Sequence, residues 1–151
     1  MGYTHYFEKL EPDENLARIT RKIVELGNVA ICGGLGEGEP IITKAKIWLN
    51  GSAEKGEDFE TFLIEKINDK DVSFNFCKTG MRPYDKVVTA ILCSALYLHC
   101  KGSETISSDG NYGDWAFSGG IDLFKRAYEE VFHKKVDDEE FTFMLKRRIG
   151  E

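Results

Sequence analysis

The stretch Pro83-Tyr84-Asp85-Lys86-Val87-Val88-Thr89-Ala90-Ile91-Leu92-Cys93-Ser94-Ala95-Leu96-Tyr97-Leu98-His99 decides the fold. Proline suits a first helical turn, where its missing N–H is no loss, and Asp85 places a negative charge near the positive end of the helix dipole. Val87, Val88, Ile91, Leu92, Ala95, Leu96 and Leu98 then cover most of the circumference. A helix that is apolar nearly all round is buried, so the segment from about 83 to 100 is expected to be the central helix, with Gly102 stopping it.

The chain before it reads mainly as strands. Gly2 to Phe7 alternates aromatic and polar residues, as a pleated, half-buried strand does. Pro12-Asp13-Glu14 opens a helix whose Leu16, Ile19, Ile23, Val24 and Leu26 recur at helical spacing until Gly27-Asn28. Val29 to Cys32 is short and apolar, a buried strand or strand-like connector. Ile41 to Leu49 reads as one strand with Ile41, Thr43, Ala45, Ile47 and Leu49 on one face. Phe59 to Ile64 and Val72 to Cys77 follow as strands, with turns at Asn50-Gly51 and at Asn68 to Asp71.

After the central helix come a short strand at Glu104 to Ser107, a turn at Asp109-Gly110-Asn111, a helix near Ile121 to Phe132 and a final element from about Glu139 to Arg148. Successive strands favour antiparallel pairing. The expectation is an α+β fold over residues 1–151 as a single globular domain: a largely antiparallel sheet of about five strands against the central helix, with two or three further helices.

Composition narrows function mainly by exclusion. With 151 residues, 42% hydrophobic and 30% charged, the chain has ordinary globular content and can build a core unaided. A formal charge of −6 repels a phosphate backbone, so no direct nucleic-acid partner is expected. The basic Lys146-Arg147-Arg148 follows the acidic run Asp137 to Glu140 and reads as a solvated helix end. Apolar runs are broken by Thr89, Ser94, His99 and Lys101, short of the roughly 20 residues a membrane span requires. The cysteines at 32, 77, 93 and 100 form neither a C-x-x-C pair nor a secreted framework, and the start carries no signal region. A cytoplasmic setting with reduced thiols is therefore expected, without metal or cofactor.

Four segments carry polar groups that invite a chemical reading. In Gly33-Gly34-Leu35-Gly36-Glu37-Gly38-Glu39-Pro40 the glycines would let backbone N–H groups approach a phosphate, but no G-x-G-x-x-G or lysine-ended P-loop is present. Glu37 and Glu39 would also repel an anion, so this is expected to be a flexible connecting loop. The junction Cys77-Lys78-Thr79-Gly80-Met81-Arg82-Pro83-Tyr84-Asp85 concentrates two cations, a hydroxyl, a phenol and a carboxylate at a helix start. Lys78, Arg82 and the helix N-terminus could hold an anion there. Equally, Thr79 could close a turn and Asp85 complement the dipole.

Ser107-Ser108-Asp109-Gly110 puts an acid at a strand end, and Trp115 could floor a pocket nearby. Asp-Gly is also a common turn. His5 is either a core histidine or a general base. Ligand-binding candidates are thus His5, Lys78, Thr79, Arg82, Tyr84, Asp85, Asp109 and Trp115.

Met1-Gly2-Tyr3-Thr4-His5-Tyr6, Phe76-Cys77-Lys78-Thr79, Pro83-Tyr84-Asp85 and Ser107-Ser108-Asp109-Gly110 resemble a family of small uncharacterised proteins from bacteriophages and prokaryotes. The resemblance spans nearly the whole chain; Gly80-Met81-Arg82 departs from a more basic spacer in that family. It brings no established activity. It implies a phage or mobile-element accessory role in a host cytoplasm. Two functions follow as expectations. One is a binding protein, not an enzyme, that captures a small anionic ligand such as a nucleotide signal, or that inhibits a host defence protein, with an oligomer left open. The other is a small hydrolase or transferase with His5 or Asp109 as base and Lys78 or Arg82 stabilising negative charge.

Overall fold

The computed structural model describes residues 3–66, 74–99 and 105–151. Among them the elements run β1 (Thr4–Glu8), α1 (Glu14–Leu26), β2 (Ile41–Ile42), β3 (Lys46–Leu49), β4 (Phe62–Glu65), β5 (Phe74–Lys78), α2 (Asp85–His99), β6 (Thr105–Ser108), α3 (Tyr112–Ser118), α4 (Gly120–Phe132) and α5 (Asp138–Ile149). The class is α+β. The strands divide into two antiparallel sheets of three, ordered β5-β1-β6 and β2-β3-β4. Among the described residues four helices accompany the central one, against the two or three expected, because Tyr112–Ser118, between the Asp109-Gly110-Asn111 turn and the helix expected near Ile121, is itself helical.

The central helix is as buried as its composition demands. From Val87 to Leu96 every residue of α2 is buried. Each of its large aliphatic side chains contributes on the order of 1.5–3 kcal/mol by leaving water. Helices α1, α4 and α5 pack against it, and one hydrophobic cluster joins these helices to buried residues of both sheets, from Phe7 and Leu16 to Phe141 and Leu145. The close approach of α4 to α2 depends on Gly120: a Cβ there would lie 1.9 Å from Thr89 Oγ1. Gly119 just before it adopts a left-handed backbone, φ 91°, and so joins the end of α3 to the start of α4.

In the sheet that carries the site, β1 is central. It pairs antiparallel with β5 (His5 opposite Cys77) and with β6 (His5 opposite Ser108). His5 and Phe7 point inward while Tyr6 and Glu8 stay partly exposed, the alternation expected from the aromatic-polar pattern.

Two expectations for the first half need correction. The strand expected from Ile41 to Leu49 is a hairpin: Thr43 N donates to Lys46 O, and Thr43 Oγ1 accepts from the backbone N–H groups of Ala45 and Lys46. A threonine-built turn without Gly or Asn left no conventional signal. Of the two readings of Val29 to Cys32 the connector holds: the segment is half-buried and only Cys32 bridges, to Asn50. The expected Asn68 to Asp71 turn lies outside the described residues.

Nor is the glycine-rich segment a loose connector. Gly33 N donates to Gly38 O and Ala53 N to Gly36 O. The buried Asn50 donates through Nδ2 to Gly34 O and Phe59 O, while its Oδ1 accepts from Gly51 N and Phe59 N. The glycines serve packing, since a Cβ on Gly34 would meet the Trp48 indole at 2.1 Å. Asn50→Ala removes four hydrogen bonds to backbone groups, leaving Gly51 N, Phe59 N and Phe59 O without that partner while Gly34 O keeps Thr61 Oγ1, so it is expected to cost at least ~2 kcal/mol in urea denaturation; a loss below ~0.5 kcal/mol would contradict this account of the loop.

Candidate functional site

The three polar motifs of the sequence converge beside the start of α2. His5 sits on β1, fully buried, between two aromatic rings that meet it edge-on: Tyr3 at 5.1 Å and Trp115 at 5.2 Å between centroids. Its Nε2 lies 2.6 Å from Asp85 Oδ1 and its Nδ1 lies 2.8 Å from Ser108 Oγ. Asp85 Oδ1 also accepts from Thr79 Oγ1 at 2.6 Å. Ser108 Oγ accepts from Gly110 N and from Trp115 Nε1, at 2.9 and 3.3 Å.

Counting donors assigns the ring. A hydroxyl oxygen has two acceptor sites and one proton. Both acceptor sites of Ser108 are taken by N–H donors, so its O–H donates to His5 Nδ1, and His5 Nε2–H donates to the Asp85 carboxylate. The chain Ser108 to His5 to Asp85 is thus satisfied at every link, and it ties β6, β1 and α2 together.

Local sequence explains how these groups arrive. Thr79 N and Gly80 N both donate to Tyr3 O, which turns the chain away from β5 and presents Thr79 to Asp85. The turn continues with Gly80 and Met81 both in the left-handed region, at φ 58° and 59°. Methionine is unusual there, and its side chain ends 64% exposed. At the other motif, Asp109 follows β6 and accepts from Thr4 N through Oδ2 and from Tyr6 OH through Oδ1. Gly110 leaves room for the phenol, since a Cβ there would lie 2.3 Å from Tyr3 Oη. Asn111 then opens α3 with a full capping box: its side chain accepts from Asp114 N, and the Asp114 carboxylate accepts from Asn111 N. The Asn111-x-x-Asp114 spacing was the available signal for this helix.

In front of this network lies a cavity of about 470 Å³ lined by Tyr3, Met81, Arg82, Pro83, Asp85, Lys86, Asp114, Phe117 and Ser118. Asp85 forms part of it while only 3% exposed. Phe117 stands at 96% exposure on the wall given by α3. Burial, then the carboxylates of Asp85, Asp114 and Asp109, hold the Tyr3 phenol well above its ordinary range, so it remains a neutral hydroxyl. Arg82 and Lys86 have no ion-pair partner among the described residues; the Arg82 guanidinium rests over the Phe59 ring at 5.2 Å. A second hollow of about 510 Å³ is walled by Asp138, Glu139, Thr142, Phe143 and Lys146, all from α5, and gives a ligand no opposing surface.

Of the residues singled out in the sequence, Arg82 and Asp85 line the cavity, and His5, Thr79 and Trp115 stand behind Asp85. The other three lie elsewhere. Lys78 places its ammonium over Phe59 and lines a shallow hollow with Thr4, Tyr6, Glu60 and Phe76. Tyr84 is buried and donates to Glu60 O at 2.6 Å. Asp109 secures the end of β1. Tyr3, Lys86, Asp114 and Phe117 were not among the candidates; Asp114 and Phe117 come from α3, whose orientation depends on how it packs, and Lys86 from the first turn of α2.

Among the described residues no three His, Cys, Asp or Glu side chains gather as metal ligands would, and no helix is long and apolar enough to cross a membrane. Desolvation pushes the buried Cys77 thiol up to about 12 and raises that of Cys93 as well, which keeps both protonated. No family model matches the chain, and neither a curated protein nor a solved structure matches it significantly.

The donor count has a spectroscopic consequence. Long-range nitrogen-proton correlation spectra should place the His5 ring proton on Nε2, with Nδ1 unprotonated; a ring carrying its proton on Nδ1 instead would contradict the assignment.

Proposed function

We propose that the protein is a binding protein that captures a small anionic ligand in the cavity at the start of α2. The observation that carries this reading is a preformed hollow with two cations, Arg82 and Lys86, lacking ion-pair partners among the described residues and set beside apolar walls from Met81, Pro83 and Phe117. Its volume falls within the roughly 300–1,000 Å³ typical of small-molecule sites. Cations beside a low-dielectric wall attract an anion more strongly than the same cations in open water.

The hydrolase alternative is less well supported. His5 is fully buried with both ring nitrogens engaged, and Asp109 is committed to Thr4 and Tyr6. A general base must come within hydrogen-bond reach of the proton it takes. Within the phage-type setting that the motif resemblance implies, capture of a ligand in the host cytoplasm would remove a small signalling molecule such as a nucleotide, or would alter a host defence protein that responds to one.

The test is thermal unfolding against a panel of nucleotides, cyclic nucleotides, sugar phosphates and dicarboxylates. A ligand at about 100 times its Kd adds ~2.7 kcal/mol, which for a chain of this size raises the Tm by roughly 5–10 °C. The Arg82→Ala, Lys86→Ala double variant is expected to keep its own Tm within ~1–2 °C, since Arg82 is exposed, Lys86 is half-buried and neither has an ion-pair partner among the described residues, and to lose the ligand shift. An absence of any shift across the panel would contradict the reading, as would a shift unaffected by the double substitution.

A further inference from the structure

The cavity contains one group that an anion alone does not satisfy. Asp85 Oδ1 receives two hydrogen bonds, from Thr79 Oγ1 and His5 Nε2, whereas Oδ2 receives none among the described residues. The carboxylate is 97% removed from solvent, taking its 3% exposure, yet it lines the cavity. Oδ2 faces what solvent the cavity admits, and an N–H or O–H group brought in by a ligand would replace that hydration with a charge-assisted hydrogen bond.

The remaining lining agrees. Two cations, Arg82 and Lys86, are balanced by two carboxylates, Asp85 and Asp114. A ligand that carried only negative charge would gain at one side and be repelled at the other. Asp114 Oδ2 is occupied by the capping bond from Asn111 N, which fixes that carboxylate at the start of α3. Between the charged groups stand Tyr3 and the almost fully exposed Phe117, rings that suit a planar body.

We propose that Asp85 reads an amine: the cavity takes an anion whose planar body bears an exocyclic amine, the chemistry of an amino-substituted nucleobase joined to a phosphate. The phosphate lies toward Arg82 and Lys86, the ring against Phe117 and Tyr3, and the exocyclic amine donates to Asp85 Oδ2. His5 and Thr79 are positioning residues, which hold Oδ1 so that Oδ2 faces the ligand. The inference rests on the anion-binding reading above and adds the donor requirement to it.

Matched pairs of ligands test it on the unmodified protein. AMP and IMP differ in bearing an amine or a carbonyl at one ring position, and so do CMP and UMP. By calorimetric titration AMP should bind about 10- to 100-fold more tightly than IMP, and CMP than UMP by a similar factor, as expected for a hydrogen bond to a buried charge. Asp85→Asn keeps an oxygen for Thr79 and His5 and turns an amide NH₂ toward the cavity, so it should favour IMP and UMP instead. Should that variant not fold, the wild-type pairs still decide. Equal affinity within each pair would overturn the amine requirement and leave anion capture standing. Failure of all four to bind at millimolar concentration would also overturn it, while anion capture answers separately to the wider panel.

Discussion

The Asp85 carboxylate, held between Thr79 and His5, is the constraint around which the site half of this protein is arranged. A charge taken out of water costs several kcal/mol unless hydrogen bonds replace its hydration. Two donors meet one of its oxygens, from a turn residue after β5 and from the central strand β1. His5 needs its own second partner, and Ser108 of β6 supplies it, itself satisfied by Gly110 and Trp115. Each polar group is therefore buried on the condition that the next one is in place. Strand order, the left-handed turn at Gly80-Met81 and the start of α3 all follow from meeting that condition.

This arrangement separates two jobs. The apolar circumference of α2 holds the molecule together without directional requirements, whereas the polar network fixes orientation at one end of it. Binding sites need such orientation, because a carboxylate that moves by an ångström reads its ligand poorly. Tyr3 and Trp115 clamp the imidazole edge-on from both sides, so the ring has no freedom to release Asp85. Five residues of the cavity lining, Met81, Arg82, Pro83, Asp114 and Phe117, are exposed.

Much of the fold was legible in the sequence for a physical reason: α2 is apolar on every side, and β1 alternates with a period of two. Periodicity located β5 without giving its buried face, since Phe76 is 56% exposed while Cys77 beside it is buried. The hairpin at Thr43 escaped because its turn is made by a threonine hydroxyl, a bond that leaves no glycine or proline. The pinning of the glycine loop escaped because it depends on Asn50 and Trp48, which reach it only across the β2-β3-β4 sheet. In the site, His5, Thr79, Asp85 and Trp115 were legible as polar or aromatic groups at element ends. Their mutual contact was not, since it is set by strand pairing 103 residues apart between His5 and Ser108. Lys78 and Asp109 show the reverse case: they share the motifs of the network residues but strand alternation and chain direction carry their side chains elsewhere.

The claim that the network acts as a unit is tested most directly by a double-mutant cycle between His5 and Asp85, read by urea unfolding of His5→Ala, Asp85→Ala and the pair. Residues in one buried network are coupled, so the double variant should be more stable than the sum of the singles predicts by at least ~1.5 kcal/mol, because removing both leaves no uncompensated partner. Additive losses, with coupling below ~0.5 kcal/mol, would contradict the account and reduce the network to separate contacts.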